Sequence, residues 1–140
     1  MSDERDRRVD IGRIAKGSYE AVNPRGGRLV FGAGDDEAFT PVELLLTAIA
    51  GCSAIDVDYI TVKRSEPDRF AVVMTAQKVR DEGGNHLTDL EITFDIGFPA
   101  GEPGDAAREV LPEAVRRSHD RLCTVSRTVE LGAPVDVRIV

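Results

Sequence analysis

Two cysteines are the residues of this chain whose type is best suited to chemistry. Cys52 and Cys123 lie far apart in a sequence of 140 residues. Two cysteines are too few for a disulfide framework, and these two lack the paired C-x-x-C spacing of a zinc site. If these residues carry chemistry, they therefore do so as thiols.

Cys52 admits two interpretations. It falls in the apolar stripe of a predicted helix, with Leu44, Ala48 and Ile55, where a cysteine most often packs as a small apolar side chain. A reactive cysteine instead needs a lowered pKa, because the thiolate is the nucleophile, and a nearby guanidinium stabilises that thiolate. Arg25 is the candidate for this cation.

Arg25 lies in a turn predicted at residues 23–27, where proline and two glycines follow an asparagine. Apolar residues on both sides of the turn make it the tip of a hairpin. Arg25 could equally be an ordinary turn residue with a solvated side chain, and Arg28 is an available substitute. Strands are predicted around this turn at residues 9–13, 18–22 and 29–31.

Cys52 needs a helix to position it, and the helix start is well marked. Thr40 is a hydroxyl N-cap, Pro41 takes the first helical position, and Glu43 closes a capping box. We expect this helix to run to about residue 64. Its first three turns are apolar nearly all round, so the helix must be covered on every side.

A second subunit is a natural source of that cover, because an α+β chain of this length usually covers only one face of a helix. We therefore predict an extensive homodimer interface. The alternative is that a sheet covers one face of the helix and a layer of helices covers the other.

The rest of the chain predicts a hairpin, a helix and a closing strand, which makes the fold class α+β. In the second strand of the hairpin, apolar residues alternate with polar ones, so one face is buried. Cys123 falls at or just past the end of the helix. The predicted elements are strands at residues 69–80 and 87–98, a helix at residues 105–122 and a strand at residues 135–139.

Composition limits the possible classes of protein. With 25 acidic and 18 basic residues the net charge is −7, which argues against nucleic acid or an anionic membrane as partner. The apolar run at residues 44–55 is shorter than the roughly 20 residues that span a bilayer. Residues 1–8 are a charged stretch without a secretory signal, predicted as a flexible tail. We expect a single cytoplasmic domain over residues 9–140.

Three segments of the sequence resemble the OsmC/Ohr superfamily, the osmotically inducible and organic hydroperoxide resistance proteins, and in particular its OsmC-like branch. The resemblance spans residues 10–140 in order and spacing. The segments are Pro41-Val-Glu-Leu-Leu-Leu-Thr-Ala-Ile-Ala-Gly-Cys52-Ser-Ala-Ile-Asp, then Ser118-His-Asp-Arg-Leu-Cys123-Thr-Val-Ser, and Asn23-Pro-Arg25-Gly-Gly.

The resemblance implies a fold, a reaction and partners. The expected fold is an intertwined homodimer with mixed sheets packed around two long central helices. Cys52 would attack the O–O bond of a small organic hydroperoxide, and Cys123 would condense with the resulting sulfenic acid to a disulfide. Arg25 would stabilise the thiolate and polarise the peroxide. A dithiol would reduce the disulfide, in oxidative-stress defence, and no cofactor or metal is implied.

Glu43 marks a departure from the organic hydroperoxide resistance branch, where the acidic partner of the arginine directly follows the helix-start proline. Here Val42 stands at that position, so Glu43 is either the partner of Arg25 or only the capping-box residue. This shift motivates a second hypothesis, a binding or structural dimer without peroxide turnover. A third hypothesis, a metal site of both thiolates, needs His119 to turn toward Cys123.

Overall fold

The computed structural model of the protein describes residues 4–140, which form two compact units. The first unit extends to Leu45 and the second covers residues 46–140. The predicted tail begins at residues 1–3, which lie outside the described residues, and residues 4–9 lie in no helix or strand. The single domain over residues 9–140 stays a prediction.

The first unit is built on a three-stranded antiparallel sheet. The predicted strand at residues 18–22 and the turn after it are confirmed. The Asn23 side chain holds this turn, because its Oδ1 accepts hydrogen bonds from the backbone N–H groups of Arg25 and Gly27, at 3.0 and 2.9 Å. The strands, in spatial order, are β1 (Asp10–Ala15), β2 (Ser18–Val22) and β3 (Arg28–Gly32).

The long helix α1 (Pro41–Thr61) begins where the sequence predicts. Its capping box is formed in both directions. The Thr40 N–H donates to Glu43 Oε1 at 2.9 Å, and the Glu43 N–H donates to Thr40 Oγ1 at 3.2 Å. The helix-capping role of Glu43 is therefore confirmed, and the helix ends three residues earlier than expected.

Much of α1 is uncovered in the single chain. Among residues 4–140, α1 is the one helix long and apolar enough to span a bilayer by length and composition, a property that core helices of soluble proteins share. Only 28% of the most apolar 18-residue stretch of α1 is buried. Ile49, Val57 and Thr61 are buried, whereas Ile55 and Tyr59 are exposed.

The second unit contains a long antiparallel hairpin of β4 (Arg69–Asp81) and β5 (Gly84–Gly97). The predicted alternation is confirmed at residues 92–96, where Ile92, Phe94 and Ile96 are more buried than the residues between them, whereas Leu90 is exposed. The ladder register shifts between Thr75 and Gln77. Asp89, opposite this shift, adopts a φ of 54°, which is typical of a β-bulge.

Three consecutive helical segments follow the hairpin. They are α2 (Glu102–Arg117), a π-helical turn (Ser118–Leu122) and α3 (Thr124–Leu131). Helix α2 begins three residues before the predicted residue 105, because Pro103 fits the first turn of a helix. The predicted helix end near residue 122 is confirmed. Cys123 separates the π-helical turn from α3. The sequence analysis did not predict helix α3.

The predicted C-terminal strand is wrong for the single chain. Residues 133–140 form no strand, although apolar and polar residues alternate there. A strand needs a neighbour for its backbone hydrogen bonds, and among the described residues this segment has no ladder partner. Val135, Val137 and Ile139 are 86%, 87% and 94% exposed as a result. The predicted α+β class is nevertheless confirmed by the remaining elements.

Candidate functional site

The π-helical turn fixes the chain just before Cys123. Ser118 is fully buried, and its hydroxyl donates a hydrogen bond of 2.8 Å to Asp56 Oδ2 on α1. The Ser118 carbonyl in turn accepts from the Cys123 N–H at 2.9 Å. Together these bonds hold the backbone of Cys123 against the middle of α1.

Cys123 is the N-cap residue of α3, and its side chain is fully buried. Its sulfur accepts a hydrogen bond from the Ser126 N–H at 3.4 Å and lies 3.3 Å from the Ser126 hydroxyl oxygen. The sulfur also lies 4.0 Å from the carbonyl oxygen of Ile49 on α1. An N-cap sulfur thus takes the position that serine or aspartate oxygens usually occupy.

Cys52 lies in the middle of α1 and is half-buried. The neighbouring Cys123 thiol and the Val125 N–H both shift the pKa of the Cys52 thiol. Both cysteines are free thiols. The structure therefore brings the two predicted sulfurs together at the first turn of α3.

The hydrogen bonds at Cys123 favour its thiolate. Burial opposes ionisation, but donors from Ser126, Cys52 and Ser53 outweigh it, so the pKa of the Cys123 thiol is lowered. Ser126 contributes both its hydroxyl and its backbone N–H. This is the usual environment of a thiolate, at a helix N-terminus with several donors.

Cys52 has the opposite electrostatic environment. Burial raises the pKa of the Cys52 thiol, and the Cys123 sulfur and the Asp56 carboxylate raise it further, against the lowering effect of the Val125 N–H. In this chain the negative charge of the reduced pair is therefore favoured on Cys123 rather than on Cys52. A thiol donates a hydrogen bond to a neighbouring thiolate, which raises the pKa of the donor and lowers the pKa of the acceptor.

Arg25 and Glu43 belong to the first unit, whereas both cysteines belong to the second. Arg25 is exposed at the tip of the β2–β3 hairpin, where the sequence places it. Arg28, its possible substitute, pairs with Glu20 at 2.6 Å on the same sheet. The predicted roles of Arg25 at the thiols and of Glu43 as its partner stay predictions.

His119 lies on the π-helical turn, where its Nε2 is 3.6 Å from Glu130 Oε1. Within residues 4–140, no group of three or more His, Cys, Asp or Glu side chains is placed to hold one metal ion. The coordinates of the second unit therefore add no support to the hypothesis of a two-thiolate metal site.

An apolar cavity of about 260 Å³ lies beside Cys123. Ile49 and Ser126, which contact the Cys123 sulfur, form part of its wall. Aliphatic side chains from the β4–β5 hairpin and α3 supply most of the remainder, and His119 and Glu130 supply the polar groups. The aliphatic residues are Met74, Leu90, Ile92 and Val129.

The sequence analysis missed Ser53 and Ser126, which lower the pKa of the Cys123 thiol, and Ser118, which holds the turn before Cys123. One signal for Ser126 is present in the sequence. A cysteine that ends one helical segment, followed three residues later by serine, has the spacing of an N-cap and its N3 donor. No local pattern marks Ser118, because its partner Asp56 is distant in the sequence.

Comparison with known proteins places the chain in a family. The sequence profile of the OsmC-like protein family matches residues 34–138. An uncharacterized protein of Mycobacterium tuberculosis is 30% identical over 133 residues, which is 93% of this chain and 93% of that protein.

Solved structures share the fold at low sequence identity. An OsmC-like protein of unknown function from Vibrio cholerae is 12% identical, with a TM-score of 0.72 over 93% of this chain and 95% of that one. An organic hydroperoxide resistance protein from Elizabethkingia anophelis is also 12% identical, with a TM-score of 0.59 over 90% of this chain and 91% of that one. The predicted OsmC-like fold is therefore confirmed, and the chain belongs to the OsmC-like family.

Proposed function

We propose that this protein is a thiol-dependent peroxidase that reduces organic hydroperoxides in oxidative-stress defence. The observation that carries the proposal is the proximity of Cys52 and Cys123 at the first turn of α3, where each thiol shifts the pKa of the other. Family membership and fold-level likeness to an organic hydroperoxide resistance protein support a peroxide-related stress function.

The proposed reaction has two steps. The Cys52 sulfur attacks the O–O bond, so that one oxygen becomes the Cys52 sulfenic acid and the other leaves as an alcohol. The Cys123 thiolate then attacks the sulfenic sulfur, forming the disulfide and releasing hydroxide, which takes a proton from the solvent. The Cys52 proton passes through Cys123 to the leaving alkoxide, and a dithiol later supplies two electrons and two protons.

Exposure and charge support this division of roles. Cys123 is fully buried, so an incoming peroxide reaches Cys52 first. The neighbouring Cys52 lowers the pKa of the Cys123 thiol, and the Cys123 thiolate takes the Cys52 proton as Cys52 attacks. Arg25 enters the proposal through the family resemblance, as the cation that polarises the peroxide.

The apolar cavity supports an organic rather than an inorganic peroxide as substrate. Its wall is largely aliphatic and includes Ile49 and Ser126, which contact the Cys123 sulfur. An alkyl or aryl group gains free energy by leaving water for such a wall, whereas hydrogen peroxide has no apolar part to bury. We include a cytoplasmic location and the absence of a cofactor in the same proposal.

A homodimer is part of the proposal because the single chain leaves apolar surface uncovered. Ile55 and Tyr59, one turn apart on α1, are 56% and 68% exposed. The C-terminal segment alternates as a strand does but has no partner among the described residues. Equilibrium sedimentation should give twice the chain mass, and an Ile55→Asp variant should dissociate. A monomeric wild-type protein would refute the dimer.

The peroxidase is tested with cumene hydroperoxide as substrate and dithiothreitol as reductant. Cys52→Ser should abolish turnover. Without dithiothreitol, Cys123→Ser should consume one equivalent of peroxide and leave a sulfenic acid that dimedone labels. Thr128→Ala is the matched control, because this α3 hydroxyl bonds only locally to the Thr124 carbonyl. Full activity in Cys52→Ser would refute the assignment.

A second candidate function, a binding or structural dimer without peroxide turnover, is favoured by one observation. The pKa of the Cys52 thiol is raised by burial, and a protonated thiol is a weak nucleophile. Alkylation distinguishes the two functions. Reaction of Cys52 with iodoacetamide only above the ordinary thiol pKa of about 8.5, together with no loss of hydroperoxide, would favour the second function.

A further inference from the structure

The two sulfurs differ in the access that they offer to an external thiol. Cys52 is half-buried, whereas Cys123 has no exposed surface. Thiol–disulfide exchange requires the attacking sulfur to approach one sulfur of the disulfide. Access alone therefore favours attack on Cys52.

The two sulfurs also differ in their fitness as leaving groups. Around Cys123, the Ser126 N–H lies 3.4 Å and the Ser126 hydroxyl oxygen 3.3 Å from the sulfur. Ser126 is itself only 6% exposed, so water competes little for these bonds. For Cys52, in contrast, the Val125 N–H lowers the pKa of the thiol, but burial, Cys123 and the Asp56 carboxylate raise it overall. The better-stabilised thiolate is the better leaving group.

We propose that the Cys52–Cys123 disulfide is reopened by attack of the reductant on Cys52, with Cys123 leaving as a thiolate that Ser126 stabilises. This inference rests on the proposed function, since it concerns the recycling half of that reaction. It assigns Ser126 as a positioning residue, which acts through the Cys123 sulfur and touches neither peroxide nor reductant.

The exchange balances in two steps. A reductant thiolate forms a bond to the Cys52 sulfur as the Cys52–Cys123 bond breaks, and the electron pair stays on Cys123. The second thiol of the dithiol then attacks the reductant sulfur of this mixed disulfide. Cys52 is released and protonated, and the dithiol becomes a cyclic disulfide.

The site of attack is read directly by trapping. The full chain is oxidised with diamide, mixed briefly with the monothiol 2-mercaptoethanol, quenched in acid, unfolded and labelled with N-ethylmaleimide. Peptide mass spectrometry should find the mercaptoethanol adduct on Cys52 and the maleimide on Cys123. The reverse pattern, or an equal mixture of the two, would overturn the proposal.

The role of Ser126 is read from rates. Ser126→Ala removes one hydrogen bond to a charged group. At a pH below the pKa of Cys123, this loss should lower the fraction of Cys123 present as thiolate about tenfold. Reduction of the disulfide by mercaptoethanol should slow several-fold, and Ser126→Thr should restore the rate. Thr128→Ala, on the same helix, should behave as wild type. A wild-type rate and pH profile in Ser126→Ala would refute the role of Ser126.

Neither measurement uses a peroxide, so their outcome is independent of peroxidase activity. A protein without hydroperoxide turnover but with the adduct on Cys52 would refute the proposed function and retain this inference. A protein with full turnover but the adduct on Cys123 would do the opposite.

Discussion

Loss of the Ser118 hydroxyl should weaken both the fold and the site. The hydroxyl donates a 2.8 Å bond to Asp56, and Ser118 is fully buried. A hydrogen bond to a charged group contributes about 1.5–3 kcal/mol, and the half-burial of Asp56 favours the lower part of that range. We therefore expect Ser118→Ala to lower the free energy of unfolding by about 1.5–2 kcal/mol.

Urea denaturation of the reduced protein, at one fixed protein concentration, measures this loss. With a slope of about 1.5–2 kcal/mol per M, the midpoint should fall by about 1 M. Ser65→Ala is the matched control, because its hydroxyl bonds only to the neighbouring Glu66 carbonyl. Asp56→Asn, which keeps an oxygen acceptor for Ser118, should cost less than Ser118→Ala.

The same variant tests whether the π-helical turn positions Cys123. Because the Ser118 carbonyl accepts from the Cys123 N–H, loosening this turn should also slow disulfide formation by diamide. The reasoning is refuted if Ser118→Ala unfolds at the same midpoint as Ser65→Ala, within the equivalent of about 0.5 kcal/mol. If Ser118→Ala lowers the free energy of unfolding but forms the disulfide at the wild-type rate, the Ser118–Asp56 hydrogen bond stabilises the fold without positioning Cys123.

Three further predictions follow from single residues. Thr40→Ala should lose the helix cap and about 1 kcal/mol, seen as a Tm lower by about 3 °C, and an unchanged Tm would contradict the capping box. Gly104→Ala should cost about 3 kcal/mol in denaturant, because a Cβ there would lie 1.7 Å from the Pro99 carbonyl oxygen, whereas Gly12→Ala, with open space, should be nearly neutral. The third prediction concerns the thiols, whose ionisation is followed by the ultraviolet absorbance of the thiolate during a pH titration. Cys52→Ser should still ionise below the ordinary thiol range, because the pKa of Cys123 is lowered, whereas Cys123→Ser should not, because the pKa of Cys52 is raised. An ionisation below that range in Cys123→Ser would reverse the assignment.

Elements with local signals could be predicted from the sequence. The start of α1 depends on Thr40, Pro41 and Glu43, which contact one another across one turn. The β2–β3 turn depends on Asn23 and the glycines after it. In both cases the residues that encode the structure are also those that form its hydrogen bonds.

Elements without local signals could not be predicted in the same way. Helix α3 has only eight residues, and its threonine- and valine-rich sequence favours helix weakly. Its cap is a cysteine, which is not among the residues usually expected there. Residues 133–140 carry the alternation of a strand, but strand formation depends on a neighbour that no local pattern specifies.

The two cysteines of the candidate site could be predicted, but the direction of their pKa shifts could not. Family resemblance, not spacing, paired Cys52 with Cys123, and the structure brings these sulfurs together. The direction of the pKa shifts depends on α3, because Val125 and Ser126 supply their donors. Without that helix in the prediction, the charge of the pair could not be assigned to either sulfur.

Two of the donors at the sulfur pair are peptide groups, the Val125 N–H and the Ser126 N–H. Every amino acid except proline carries such a group, so substitution at either position leaves the donor intact while the helix persists. Sequence drift in this segment can therefore erase every recognisable side chain and still preserve part of the electrostatic environment. Proline at either position is the substitution that would remove a donor outright.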